Sequence, residues 1–403
     1  MRMVFSLGCR VLSRCRVRFD EVDGVESFPA MNRHSINPDL PESDVRAAVR
    51  RHLLPWFRKH ARDLPWRKRR SAYRVWISEM MLQQTRVETV RSYYKRWMKS
   101  FPSLKALSEA PRQDVMKAWE GLGYYARARN VHRTARLIVR ECGGRFPATV
   151  QDLQKLPGIG PYTAAAISSL AFGLDAAVVD GNVARVLSRL YRFKGDPSRA
   201  DSRRQLQDWA EGHLVPGRAG EVNEAMMELG ATICLPQSPR CAECPFHAVC
   251  AAAAAGDTGR FPTRPVQPAV PHRHVGAGVI INRAGKVLLA RRPDDAMLGG
   301  LWEFPGGGQQ EEESLPDCVC RELREELGIH VRVGPHFVTV RHAFSHFTMD
   351  LHAFWARIER GRPRSIEVSD YRWVEVNEIG SFPLPKADQE ILKELKRAQF
   401  PDF

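Results

Sequence analysis

The sequence predicts two domains, an all-α domain followed by an α/β domain, and three observations lead there. At 403 residues the chain exceeds what one hydrophobic core usually organises. Apolar residues recur at helical spacing from about 43 to 250, then alternate with a period of two from about 275. The charge is also divided: residues 1–270 carry +17 and residues 271–403 carry −2, within an overall +15. That asymmetry suits a polyanion-binding module joined to a nearly neutral one, with a merely solvated basic surface as the alternative. No run approaches the ~18 to 20 apolar residues of a membrane span, which excludes an integral membrane role. Nine cysteines, an odd number with no secretory signal ahead of them, argue for a reducing compartment and against a disulfide framework.

The elements follow in chain order. Residues 1–40 read as a disordered extension or a start-site artefact: the first nineteen carry five Arg and no acid, and Met31 offers a second start. Ser43 is placed to cap a helix through Val45, Val49, Leu53 and Phe57. Further helical patterns cover 74–99, 112–120, 125–141, 162–171, 182–191, 202–213 and 221–232, with breaks such as Phe101-Pro102, Gly143-Gly144 and Pro216-Gly217. Residues 251–272 read as a linker, an Ala run followed by prolines. Beyond it, strands are expected at 275–280 and 286–289 around a turn at Arg283-Ala284-Gly285, with helices at 314–327 and 387–397.

Two segments point to chemistry. Cys234, Cys241, Cys244 and Cys250 lie within seventeen residues, spaced x6-x2-x5. Four thiolates in one short loop are soft donors for zinc or an iron–sulfur centre, and zinc ribbons usually present two CxxC knuckles where this chain has one. Leu156-Pro157-Gly158-Ile159-Gly160-Pro161-Tyr162 reads as a sharp turn between helices, with Gly158 and Gly160 permitting it and exposed N–H groups able to grip a phosphate. Asp180, before a helical stretch, reads as an N-cap. Glu79, between Trp76-Ile77 and Met80-Met81-Leu82, sits in an apolar setting that would raise its pKa.

The cysteine spacing, the LPGIG hairpin and the Val179-Asp180-Gly181-Asn182-Val183 segment together resemble the helix-hairpin-helix DNA glycosylases related to endonuclease III. Within that superfamily the chain resembles the adenine DNA glycosylases (MutY-type) over roughly 45–400. Leu64-Pro65-Trp66-Arg67, Val75 to Thr85, Gly121 to Asn130 and Asn223-Glu224 carry the match. The resemblance implies a [4Fe–4S] cluster on the four cysteines, and DNA carrying 8-oxoguanine:adenine or guanine:adenine mispairs as the partner. It implies Glu79 as the acid that protonates adenine N7 and Asp180 as the carboxylate that stabilises an oxocarbenium-like sugar. Arg62, Trp66, Arg67 and Glu224 match positions lining the adenine pocket. Gln84 and Tyr124 match residues that fill the stack when the base is flipped out. Tyr162 stands where strand-cleaving relatives carry a nucleophilic Lys, so base removal without β-lyase activity is expected.

In the second part, Gly300 to Gly307 and the strand pattern resemble a Nudix-like α/β fold. In adenine glycosylases such a domain reads 8-oxoguanine, and Phe344, Ser345 and His346 match the recognition loop. Yet the chain also keeps a complete Nudix box, from Gly307 and Glu313 through Arg321 to Gly328. Glu322, Glu325 and Glu326 are expected on one helix face, where they could hold Mg²⁺ for a pyrophosphohydrolase; a solvated acidic helix is the alternative. The expected organisation is therefore a helix-hairpin-helix glycosylase domain over 41–233, a cluster loop over 234–250 and a Nudix-like domain over 273–403. A monomer in a bacterial cytoplasm, at the nucleoid, is expected, with organelle targeting by the first 40 residues left open. A pyrimidine-directed glycosylase, a DNA-tethered nucleotide diphosphatase and a non-catalytic iron–sulfur sensor are the rival readings; Tyr162, Glu79 and Asp180 disfavour them.

Overall fold

The computed structural model describes residues 42–263 and 269–402, so the expectation for residues 1–40 lies outside the described residues. The chain divides into two compact units, one of residues 1–84, 101–108 and 133–265, the other of residues 85–100, 109–132 and 266–403.

The described part of the first unit is helical. Its first helix starts at Glu42, so Ser43 lies inside it, and runs through a π turn at Val49–Leu53 into Leu54–His60. The 74–99 pattern is two helices, Ala72–Leu82 in this unit and Val87–Ser100 in the second. The break falls where Gln84 adopts a φ of 56°, a left-handed backbone that no apolar spacing announces. Pro161–Phe172, Gly181–Leu190, Ala200–Gly212 and Ala219–Thr232 follow. Leu53, Leu187, Leu206, Ala225, Leu229 and Phe246 are buried in one apolar cluster of this unit. The stretch read as a linker carries structure at its start: Ala251–Ala254 is helical with Ala252 buried, and the Thr258 and Phe261 carbonyls accept from the buried Arg189.

The second unit is built on two sheets. Its strands are β1 (His272–Ile280), β2 (Val287–Arg291), β3 (Trp302–Glu303), β4 (Gly306–Gly308), β5 (His330–Ala343), β6 (Thr348–Arg360) and β7 (Asp370–Val374). One sheet has the order β4-β1-β6-β5 and the other β3-β2-β7. β1 and β6 run parallel, whereas β5 and β6 form an antiparallel hairpin with irregularities around His336. Ser314 caps the helix Leu315–Leu327 by accepting from Asp317 N–H, and Gly328 ends it at a φ of 67°. This helix lies close on β1 because Gly276 and Gly278 bear no Cβ; one built there would come within 2.9 Å of Val319 and 3.1 Å of Leu323. Apolar clusters flank the sheet on both sides, one with Val279, Trp302 and Ile391, the other with Ile280, Leu323 and Phe354. The helical segments of this unit are tied to it by ion pairs and carbonyl contacts. Arg112 pairs with Asp294 at 2.5 and 2.6 Å, and Glu120 accepts from Leu384 N–H at 2.8 Å.

Candidate active site

The site in the first unit forms where helix ends and a buried helix face converge. Glu79 lies on the Ala72–Leu82 helix, 5% exposed among Trp76, Ile77, Met80 and Met81, all buried. Burial disfavours its charged form and pushes its pKa up to about 7, with Asp180 and Glu224 adding to the rise. The Tyr162 hydroxyl donates to Glu79 Oε2 at 2.7 Å and pulls the other way. Tyr162 itself, on the Pro161–Phe172 helix, is held well above the usual tyrosine range by burial and by the facing carboxylates. Gln83 donates to Thr163 Oγ1 at 3.2 Å, linking the same two helices.

Asp180 is the N-cap of Gly181–Leu190, as its place before that helix suggested. Its Oδ1 accepts Val183 N–H at 2.7 Å and its Oδ2 accepts the Asn182 amide at 3.0 Å. Burial raises its pKa, and these two donors, with Arg185, oppose the rise. The cap therefore fixes the carboxylate, and the donors partly offset the burial that disfavours its charged form. Ala219–Thr232 approaches this turn because residue 230 is glycine: a Cβ there would lie 2.6 Å from Asn182 Cβ.

The other residues expected at the base pocket form one charged network. Arg67 donates to Glu224 Oε1 at 3.2 Å, to Glu228 Oε2 at 2.9 Å and to the Arg62 carbonyl at 3.1 Å. Arg62 grips Glu228 through its backbone N–H, Nε and Nη2, and Arg70 pairs with Glu224. Trp66 is buried beside them in sequence. Glu228 and Arg70 were not anticipated. Glu228 is 1% exposed at its side chain and holds two arginines at once, and its place four residues after Glu224, on the same helix face, was the available signal.

The hairpin is as read, except in one respect. Gly158 has a φ of 76° and needs to be glycine. Gly160 is extended (φ −82°, ψ 177°), so the turn does not require it. A Cβ at 160 would meet nothing within 4 Å, which leaves the N-terminus of Pro161–Phe172 open to close approach from outside. Gln84 is exposed and left-handed, and Tyr124, in the second unit, is 48% exposed with a φ of 48°. Arg127 stacks 5.5 Å from the Tyr124 ring and is anchored to the Leu122 and Gly123 carbonyls.

Cys234, Cys241, Cys244 and Cys250 line one cavity together with Arg189, and none forms a disulfide. Arg189 Nη1 donates to Cys234 Sγ at 3.2 Å. Burial and the neighbouring thiols push Cys244 up to about 12, a crowding that a cationic centre would relieve. Among the described residues no three of these sulfurs lie within 4.8 Å of one another. One tetrahedral zinc, with bonds of about 2.3 Å, requires sulfurs under about 4 Å apart. Four soft thiol donors in one cavity fit a thiolate-bound metal centre, an iron–sulfur cluster included.

In the second unit the tip between β5 and β6 closes with Phe344 N–H donating to the Phe347 carbonyl at 2.8 Å. Phe344 stacks on Phe347, while Ser345 and His346 are exposed. The box glutamates do not converge. Arg321 binds Glu313, Glu322 and Glu325, whereas Glu326 turns inward to accept Gly306 N–H at 3.2 Å. Among the described residues, no three of these carboxylates bring an oxygen within 4.8 Å of one another.

Residues 77–211 match the description "HhH-GPD superfamily base excision DNA repair protein", and residues 276–394 match "NUDIX domain". The chain is similar to proteins called adenine DNA glycosylase from Rattus norvegicus (35% identity, 86% of this chain, 77% of that one) and Homo sapiens (35%, 86% and 73%). A third, from Buchnera aphidicola subsp. Acyrthosiphon pisum, is 30% identical over 86% of this chain and 97% of its own.

Proposed function

Because the chain belongs to the adenine DNA glycosylase family, we propose that it removes adenine mispaired with 8-oxoguanine or guanine in double-stranded DNA, as a base-excision repair hydrolase. The observation that carries this reading is Glu79, a buried carboxylic acid with its pKa near 7, facing Tyr162 and electrostatically coupled to Asp180. Adenine is a poor leaving group until a ring nitrogen is protonated, so the reaction needs an acid that keeps its proton at neutral pH. Glu79 supplies it at N7. Asp180, rigid as a helix cap, stabilises the positive charge that develops on the sugar. Tyr162 orients Glu79 and offers no amine for a Schiff base.

The network of Arg62, Arg67, Glu224 and Glu228 forms the wall of the base pocket beside Trp66. Gln84 in the first unit and, independently, Tyr124 in the second take the part of residues that fill a vacated base stack, and the Gly158–Gly160 hairpin binds a phosphate through its open helix N-terminus. A [4Fe–4S] cluster on the four cysteines would order the Cys234–Cys250 loop and take no part in base removal. Ser345 and His346 read the lesion from the exposed hairpin tip.

A second reading applies to the Nudix box. Glu322 lies against Gly307 closely enough that a Cβ there would be 2.3 Å from its carboxylate, and Glu326 holds Gly306 N–H. Glu322 and Glu326 each contact this glycine strand, and carboxylates beside open backbone are the donor type that Mg²⁺ takes together with a pyrophosphate. The full chain would then hydrolyse a nucleoside triphosphate with Mg²⁺, and Glu325→Gln would end it.

The test of the main reading is Glu79→Gln on a duplex with adenine opposite 8-oxoguanine. Excision is expected to vanish while duplex binding persists. Robust excision by the variant overturns the assignment.

A further inference from the structure

A group of side chains on the sheet of the second unit belongs to neither the lesion loop nor the Nudix box. β1 and β6 pair in parallel register, His272 with Thr348 and His274 with Asp350, while β5 sets Arg341 opposite Asp350 and Thr339 opposite His352. Since side chains alternate along a strand, His272, His274, Asp350 and His352 share one face. One donor atom from each of His272, His274 and Asp350 lies within 4.8 Å of the others.

We propose that His272, His274 and Asp350 form a binding site for a divalent transition metal such as Zn²⁺. The second contacts of each residue are what distinguish this cluster from a polar surface. His272 Nδ1 lies 2.8 Å from Thr348 Oγ1, and His272 Nε2 lies 3.6 Å from Asp350 Oδ2. His274 Nδ1 faces His352 Nε2 at 3.3 Å, and His352 Nδ1 faces Thr339 Oγ1 at 2.9 Å. Thr339 in turn lies 2.9 Å from His336 Nε2.

One proton arrangement satisfies the whole chain. His272 Nδ1–H donates to Thr348, His274 Nδ1–H to His352, His352 Nδ1–H to Thr339, and the Thr339 hydroxyl to His336. That arrangement leaves the Nε2 lone pairs of His272 and His274 unshared, the form in which imidazole binds metal. Arg341 donates to Asp350 at 2.9 and 3.2 Å, which fixes the carboxylate and leaves further lone pairs on both oxygens. Three ligands, each braced by an outer partner, match the way proteins orient metal donors. Two imidazoles and a carboxylate select zinc, nickel or copper over magnesium or calcium. Small side-chain rotations bring donors 4.8 Å apart to bonds of about 2.0–2.2 Å.

The site ties the start of β1 to β6 beside the hairpin tip. Thr348, which braces His272, is bonded through its N–H to the Pro271 carbonyl and begins the strand that leaves Phe344–Phe347. A bound ion would thus clamp the root of that tip.

The test uses the full, tag-free chain with its visible iron–sulfur absorption verified, freed of loosely held metal and titrated with Zn²⁺ by calorimetry. One equivalent is expected to bind and to raise the Tm of the second unit. The His272→Gln/His274→Gln variant should bind at least about tenfold more weakly and lose the Tm rise. His330→Gln, an exposed histidine at the far end of β5, should bind as the parent does. Asp350→Asn repeats the measurement with one atom exchanged, should the double variant fold poorly by circular dichroism. No Zn²⁺ uptake by the parent overturns the proposal, as does uptake equal to the parent's by the double variant or by Asp350→Asn.

Discussion

In the proposed reaction Glu79 is the acid, and its environment makes two demands that can be measured. Its pKa near 7 lies above the ordinary 4.5, so the neutral, proton-donating form prevails below about pH 7. Single-turnover excision should therefore fall as pH rises through 7, approaching tenfold per unit. Tyr162 opposes the rise by donating to the carboxylate. Tyr162→Phe should accordingly move the descending limb to higher pH, and an unmoved limb would show that the hydrogen bond does not tune the acid. The same shift bears on stability. An acid whose folded pKa is raised contributes stability that is full below 4.5 and is lost as pH climbs through 7, here of order 3 kcal/mol. Glu79→Gln, which cannot ionise, should thus gain Tm over the parent at pH 8 and not at pH 4, as calorimetry would reveal. The apolar setting of Glu79 and the capping position of Asp180 were legible in local sequence, whereas the roles proposed for them and for Tyr162 came from the family resemblance. Glu228 and the bracing of His274 were not legible, since both depend on partners 78 to 166 residues away.

At the scale of elements, close approach by small residues brings the groups together. Gly230 lets Ala219–Thr232 approach the turn that carries Asp180 and Asn182. Gly230→Ala should cost about 1–3 kcal/mol by overpacking and slow excision through a displaced Asp180, which denaturant titration and single-turnover rates would check. If stability and rate are both unchanged, the turn is not held by this contact. Apolar period revealed most of the helices and the change to strands, yet it missed the break at Gln84. A left-handed residue between two apolar faces leaves the spacing intact, so periodicity reads through it. Gly160 illustrates the converse: the sequence marks it as a turn glycine, while the backbone at 160 is ordinary and only the open space beside it is unusual. The cysteine loop was legible through its spacing, and the choice of an iron–sulfur cluster over zinc came from the family resemblance; the fold adds that the four thiols line one cavity. Anaerobically purified protein should contain about four Fe per chain, and stoichiometric Zn without Fe on Cys234 to Cys250 would contradict the fit.

For the whole molecule, the division of charge is the broadest statement the sequence makes. The +17 of residues 1–270 and the −2 of residues 271–403 suit the proposed division between phosphate binding and lesion reading. Ser345→Ala should therefore weaken the preference for 8-oxoguanine over guanine opposite adenine, and Glu325→Gln should leave it intact; the reverse pattern would assign the second unit to nucleotide hydrolysis. The central claim joins an acid near neutrality to a site without a lyase amine. It is tested most directly by single-turnover reaction of the intact protein on a duplex bearing adenine opposite 8-oxoguanine, analysed with and without alkali. Adenine should be released, with the strand broken only after alkali. Failure to release adenine, or strand breakage without alkali accompanied by borohydride trapping of a Schiff base, would contradict the account.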